Sequence, residues 1–177
     1  RALVTSALAA TGGYDDGGLD QAHERFMVHY GDCFADESVP FPGVVEVLEK
    51  ARAAGVPTAV ITNKAAAFTE PLLEATGLRP YLAAVVSGDT VANKKPDAEP
   101  VRYALEQLGA EAERSVMVGD SRNDVNAGLA AGCRVVCVTY GYNRGADVYS
   151  LGADRVVEPF GAVWECVEPQ GSLAGSA

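Results

Sequence analysis

From residue 44 onward the chain alternates between two hydrophobic patterns. Stretches with apolar residues at three- and four-residue steps predict helices over 44–54, 65–76, 99–108 and 124–131. The first three stop at Gly55, Gly77 and Gly109, as helices commonly do. Between them lie short apolar runs at 58–62, 83–87, 115–119, 134–138 and 155–157, which predict strands. These runs are continuous rather than alternating, as expected of strands covered by helices on both faces. The order predicts an α/β fold, a doubly wound, Rossmann-like parallel sheet.

The first forty residues read differently. Segments 1–10 and 19–35 predict helices, joined by a Gly-rich turn over 11–18. Phe26, Tyr30, Cys33 and Phe34 recur at helical spacing and give the second helix an apolar face. Pro40-Phe41-Pro42-Gly43 marks a boundary. The expected organisation is a helical segment over 1–39, an α/β core over 40–168 and a flexible tail over 169–177.

Composition narrows the partners. A net charge of −10 argues against nucleic acid, which basic surfaces grip. No run of roughly 18 apolar residues exists, so no membrane span is expected. The opening ten residues read as an amphipathic helix rather than a secretory signal, and the four cysteines lack metal-ligand spacing. Cys133 and Cys137 are about 13 Å apart along an extended run, too far for a disulfide. Free thiols in a reducing cytoplasm are the expectation.

The candidate chemistry lies at strand ends, which share one edge in an open parallel sheet. Thr62-Asn63-Lys64 follows the first strand, Lys94-Lys95-Pro96 closes the loop after the second, and Gly119-Asp120-Ser121-Arg122-Asn123-Asp124 follows the third. A Thr hydroxyl with adjacent backbone N–H groups can cradle phosphate oxygens. A Lys offers a compact charge. Two crowded carboxylates call for a cation, and a hard ion such as Mg²⁺ suits them. The expected partner is a small phosphorylated substrate. Lys64 and Arg122 are expected at the rim.

These motifs resemble those of the haloacid dehalogenase superfamily of phosphohydrolases, most nearly its phosphoglycolate phosphatase members. Val60-Ile61-Thr62-Asn63-Lys64 resembles the second motif, Lys94-Lys95-Pro96 the third, and the Gly119–Asp124 run the fourth. Val138-Thr139-Tyr140-Gly141-Tyr142-Asn143 is similar to a sequence common in phosphoglycolate phosphatases. The resemblance implies a Mg²⁺-dependent phosphomonoester hydrolase working through an aspartyl-phosphate. It implies Thr62 and Lys95 as catalytic, Thr62, Asn63 and Lys95 as substrate-binding, Asp120 and Asp124 at the metal, and Ser121 as support. Residues 1–39 then correspond to the remnant of a helical cap.

One departure stands against these matches. The family's nucleophile is the first Asp of an Asp-x-Asp-Gly-Thr motif on its first strand, and no such motif occurs here. Asp15-Asp16 sits in the Gly-rich turn and reads as a solvated loop. The resemblance therefore implies an N-terminally truncated fragment, inactive alone, whose sheet lacks an interior strand between those ending at Thr62 and Gly119. The alternatives are another small-molecule phosphatase, a pyrophosphatase or phosphomutase of the superfamily, or a non-catalytic regulatory relative. A signalling receiver domain is disfavoured, because there the acidic cluster precedes Thr and Lys in sequence.

Overall fold

A computed structural model describes residues 2–13, 15–143, 145 and 147–167. The tail expected over 169–177 lies outside them. The chain divides into two compact units, one over Arg1–Ser38 and the other from Val39 onward.

The first unit holds α1 (Ala2–Ala10) and α2 (Asp16–Cys33). The second helix begins three residues earlier than its hydrophobic pattern predicts. Asp15 caps it, accepting a hydrogen bond from the Gly18 N–H at 2.6 Å. Asp15 is thus a cap rather than a loop acid, and capping outweighs the poor helix propensity of Gly17 and Gly18. Along α2, Phe26 stacks on Tyr30 with ring centroids 5.5 Å apart, and Tyr30 tilts against Phe34 at 6.2 Å. Cys33 is exposed, whereas Cys133, Cys137 and Cys166 are buried, and all four thiols are free.

The second unit alternates helix and strand: α3 (Val44–Ala53), β1 (Ala59–Ile61), α4 (Ala66–Ala75), β2 (Ala84–Val86), α5 (Glu99–Leu108), β3 (Val116–Gly119), α6 (Arg122–Ala131), β4 (Arg134–Val138), β5 (Arg155–Val157) and α7 (Trp164–Val167). Short 3₁₀ turns at 79–81, 112–114, 148–150 and 160–163 join them. All strand pairs are parallel.

β4 shows why its sequence is continuously apolar. Val135 and Cys137 point into one cluster with Val101, Met117, Val125 and Ala127, while Val136 and Val138 point into another with Val157, Val163 and Cys166. Successive side chains alternate between faces, and both faces are buried. Burial of these groups, worth about 25 cal/mol per Å² of apolar area, anchors the strand ends that carry the polar motifs.

The strands form two ladders, β1–β2 and β3–β4–β5, with no strand hydrogen bonds joining them among the described residues. The end of β1 nevertheless lies close to the start of α6. Lys95 Nζ touches both the Ile61 carbonyl and Asp124. The break between the ladders falls at the facing edges of β1 and β3. Val60 and Val118, on these two unpaired edges, are only partly buried.

Candidate active site

The site is organised around Lys95. Its ammonium donates to the Ile61 carbonyl at 2.5 Å and to Asp124 Oδ1 at 2.6 Å. The Lys95 and Asp124 side chains are 10% and 9% exposed. A desolvated charge held by fixed partners cannot swing away, so the ammonium stays at the strand ends. Asn63 holds the backbone of the same residue: its Nδ2 donates to the Lys95 carbonyl at 2.8 Å, and its Oδ1 accepts from the Lys95 N–H at 3.0 Å.

This pairing gives Asn63 a structural task. Asn63→Ala is expected to lower stability by about 1 kcal/mol, modest because the bonds are exposed. Asn63→Asp keeps the acceptor but loses the donor, so it falls between wild type and Ala. Urea unfolding, with hydrogen exchange at the Lys95 amide, reads both effects. Full protection of that amide in Asn63→Ala would refute the clamp.

Thr62 continues β1. Its N–H donates to the Val86 carbonyl at 2.8 Å, and its Oγ1 accepts from the Lys64 N–H at 3.1 Å. Thr62 therefore closes a local turn and does not cap α4. The α4 N-terminus is served from the neighbouring loop, where Asp89 Oδ1 accepts from the Ala66 N–H at 2.8 Å. That loop approaches closely because Gly88 lies against the Asn63 backbone. A Cβ on Gly88 would sit 2.6 Å from the Asn63 carbonyl carbon.

Asp120 and Asp124 have different surroundings, although the sequence suggests a matched pair. Both oxygens of Asp124 are engaged: Oδ1 by Lys95, Oδ2 by the Ser121 hydroxyl at 2.5 Å and the Ser121 N–H at 3.2 Å. Burial raises its carboxyl, but Lys95 and Ser121 more than offset this and hold it below the usual carboxylate value. Asp120 Oδ2 accepts from the Tyr142 N–H at 2.7 Å, while Oδ1 accepts no hydrogen bond among the described residues. Burial, reinforced by the charge of Asp124, pushes the Asp120 carboxyl above its usual value despite that bond. Burial and the same two carboxylates push the Cys137 thiol up, which makes it a poor nucleophile.

The open oxygen of Asp120, destabilised as an anion, suits a hard cation. Among the described residues no group of three or more His, Cys, Asp or Glu side chains is placed to share one. A single open carboxylate is a donor that fits Mg²⁺, which commonly keeps its waters and takes one or two carboxylates. Beside these carboxylates lies a cavity of about 250 Å³ walled by Phe41, Val44, Val118, Val138, Tyr140 and Phe160. Lys64 is half-buried, and Arg122 is exposed at the start of α6.

Residues 9–138 match the model of the haloacid dehalogenase-like hydrolases. The chain belongs to that family. It is 47% identical over 137 residues to a phosphoglycolate phosphatase of Thiobacillus denitrificans, covering 77% of this chain and 60% of that one. It thus spans about three-fifths of the length of that curated relative. A crystal structure from Haemophilus somnus, assigned by prediction as a phosphoglycolate phosphatase, superposes with a TM-score of 0.85 at 29% identity. That alignment covers 90% of this chain and 71% of the other. CbbY from Rhodobacter sphaeroides, solved with phosphate, superposes with a TM-score of 0.71 at 28% identity, covering 82% and 65%. As a haloacid dehalogenase-like hydrolase, the chain has the α/β architecture its hydrophobic pattern predicts.

Of the residues the sequence nominates, the structure joins Asn63, Lys95, Asp124, Ser121 and the Asp120 N–H in one hydrogen-bonded group, with Thr62 following the Ile61 carbonyl that Lys95 also meets. The sequence gives no task to Asp89, Gly141 or Tyr142. The Asp89 carboxylate and the Tyr142 N–H act through side-chain-to-backbone hydrogen bonds across more than twenty residues, a kind of contact that leaves no periodicity. The one local signal is the run of turn formers Ser87-Gly88-Asp89 directly after a strand.

Proposed function

We propose that this chain carries the phosphate-binding and cation-binding side of a Mg²⁺-dependent phosphomonoester hydrolase acting on a small phosphate ester such as 2-phosphoglycolate. The observation that carries this reading is the buried Lys95 ammonium, fixed between Ile61 and Asp124 beside Thr62 and Asp120. Thr62 and Lys95 bind oxygens of the transferring phosphoryl group. Asn63 holds the Lys95 backbone, Asp124 holds its ammonium, and Ser121 holds Asp124. Asp120 is the carboxylate that takes Mg²⁺; when bound, the ion would neutralise phosphoryl charge. The aspartyl-phosphate route needs a nucleophilic carboxylate from an Asp-x-Asp-Gly-Thr strand, which this sequence does not contain.

We read the two helices of Arg1–Ser38 as the remnant of a helical cap. Among the described residues no helix is long and apolar enough to cross a membrane. The acidic charge disfavours nucleic acid as a partner, and the free thiols accord with a reducing, cytoplasmic setting.

The test joins an Asp-x-Asp-Gly-Thr strand upstream and measures phosphate release from 2-phosphoglycolate and from sugar phosphates, with and without Mg²⁺. Metal-dependent turnover is expected, falling at least about 100-fold in Lys95→Ala and Asp120→Asn. The chain as written is expected to give none above its Lys95→Ala variant. A folded, Mg²⁺-binding but inactive extended protein would favour the regulatory relative instead.

A further inference from the structure

The segment leaving β4 bears on Asp120 in a way the polar motifs do not describe. Tyr140 turns its ring onto Phe41, with centroids 4.8 Å apart. Gly141 then adopts φ +110°, in the left-handed region that disfavours side chains. The Tyr142 side chain is exposed, so what this residue brings to the site is its backbone N–H, 2.7 Å from Asp120 Oδ2. A Cβ on Gly141 would lie 2.8 Å from both Cβ and Cγ of Asp120 and would strike Oδ2. The carboxylate thus occupies space that any side chain at 141 would fill, and the next amide fixes its direction.

We infer that Gly141 and the Tyr142 amide form a notch that positions the Asp120 carboxylate for its cation. They are positioning residues, since neither touches the reacting groups. This inference rests on the reading of Asp120 as the Mg²⁺ carboxylate. Within that reading it explains how a half-buried acid, crowded by Asp124, keeps one oxygen pinned and leaves the other for the cation. Asp124 itself is held by Lys95 and Ser121, so the two carboxylates have separate supports and respond to different substitutions.

Gly145 supplies a matched control. It also has positive φ, +76°, yet a Cβ there would meet nothing within 4 Å. Gly141→Ala and Gly145→Ala both put a side chain at positive φ, and only the first clashes with Asp120. Two readouts are made on the full chain: hydrogen exchange at the Tyr142 amide in metal-free protein, and Mg²⁺ affinity by calorimetry. Amides of β4 report whether each variant is folded.

Gly141→Ala is expected to lose Tyr142 protection and to weaken Mg²⁺ binding by about 10–100-fold, the usual effect of disturbing an outer support of a metal ligand. Gly145→Ala is expected to change neither. Unchanged Tyr142 exchange in Gly141→Ala, or equal losses in both variants, overturns the inference. If Gly141→Ala also loses β4 protection, Asp120→Ala decides, because it removes the acceptor and leaves Gly141 intact. Retained Tyr142 protection there overturns the notch, and selective loss supports it. Should wild type bind no Mg²⁺ while Gly141→Ala still frees the Tyr142 amide, the notch stands and the metal reading of Asp120 fails.

Discussion

Replacing Lys95 by Ala is expected to destabilise the protein by about 3–5 kcal/mol, because it leaves a buried carboxylate without its charge partner. In a chain of this size that lowers Tm by roughly 6–20 °C. Lys95 Nζ lies 2.6 Å from Asp124 Oδ1, and both side chains are almost fully covered. Removing both charges with groups of similar shape, as in Lys95→Met with Asp124→Leu, is expected to cost much less. A large penalty for the single change and a small one for the double would show that the pair serves chemistry more than stability. Equal penalties would refute this.

Acidification adds a signature. Burial alone raises Asp124; with Lys95 present its folded carboxyl lies below the unfolded value of about 3.9. A depressed carboxyl stabilises the folded state above the unfolded pKa and loses that contribution as pH falls through the folded pKa. In Lys95→Ala the largest offset to burial is gone and only the Ser121 and backbone bonds remain, so ionised Asp124 contributes less to folding as pH rises. The stability gap between wild type and variant is therefore widest near neutrality and narrows toward pH 3. Urea unfolding across that range measures it, and a gap of constant width would contradict the assignment.

The elements best read from sequence are those with sharp punctuation. α5 runs over Glu99–Leu108 and β4 over Arg134–Val138, each as its pattern predicts. Gly109 stops the helix in the left-handed conformation, and β4 is apolar along its length with both faces covered. Starts proved less legible where a cap decides them. α2 begins at Asp16 because of Asp15, and α6 begins at Arg122 because Ser121 precedes it as N-cap. The four 3₁₀ turns are too short to carry a period.

The site divides along similar lines. Thr62, Lys95, Asp120 and Asp124 were legible because parallel strands deliver their carboxyl ends to one edge. The division of labour between the two carboxylates was not. It depends on Lys95 reaching Asp124 and on Tyr142 reaching Asp120, contacts that only the folded chain defines. Asn63 likewise carries a motif's residue type, while its side-chain amide is occupied with the Lys95 backbone.

The second large effect is expected at Gly119, the last residue of β3. A Cβ there would overlap Asp124 Cβ and lie 2.6 Å from its Cγ. The obstacle is the root of a side chain held by Lys95 and Ser121, so it cannot rotate aside. Either Asp124 gives up its partners or α6 moves off the sheet. Movement is opposed lower down, where Gly128 brings α6 so close that a Cβ would sit 2.7 Å from Val135 Cγ2 and 2.9 Å from Met117 Cβ. Lifting the helix would open the cluster around Val125 and Val135, both fully buried. Gly119→Ala is therefore expected to cost about 4 kcal/mol or more, in the range reserved for core disruption. A double-mutant cycle identifies the cause. Asp124→Gly removes the clashing carbon, so on that background Gly119→Ala should add little. Asp124→Ala keeps the Cβ and should leave most of the penalty in place. If both backgrounds relieve it equally, the carboxylate rather than the packing of α6 on β3 sets the cost.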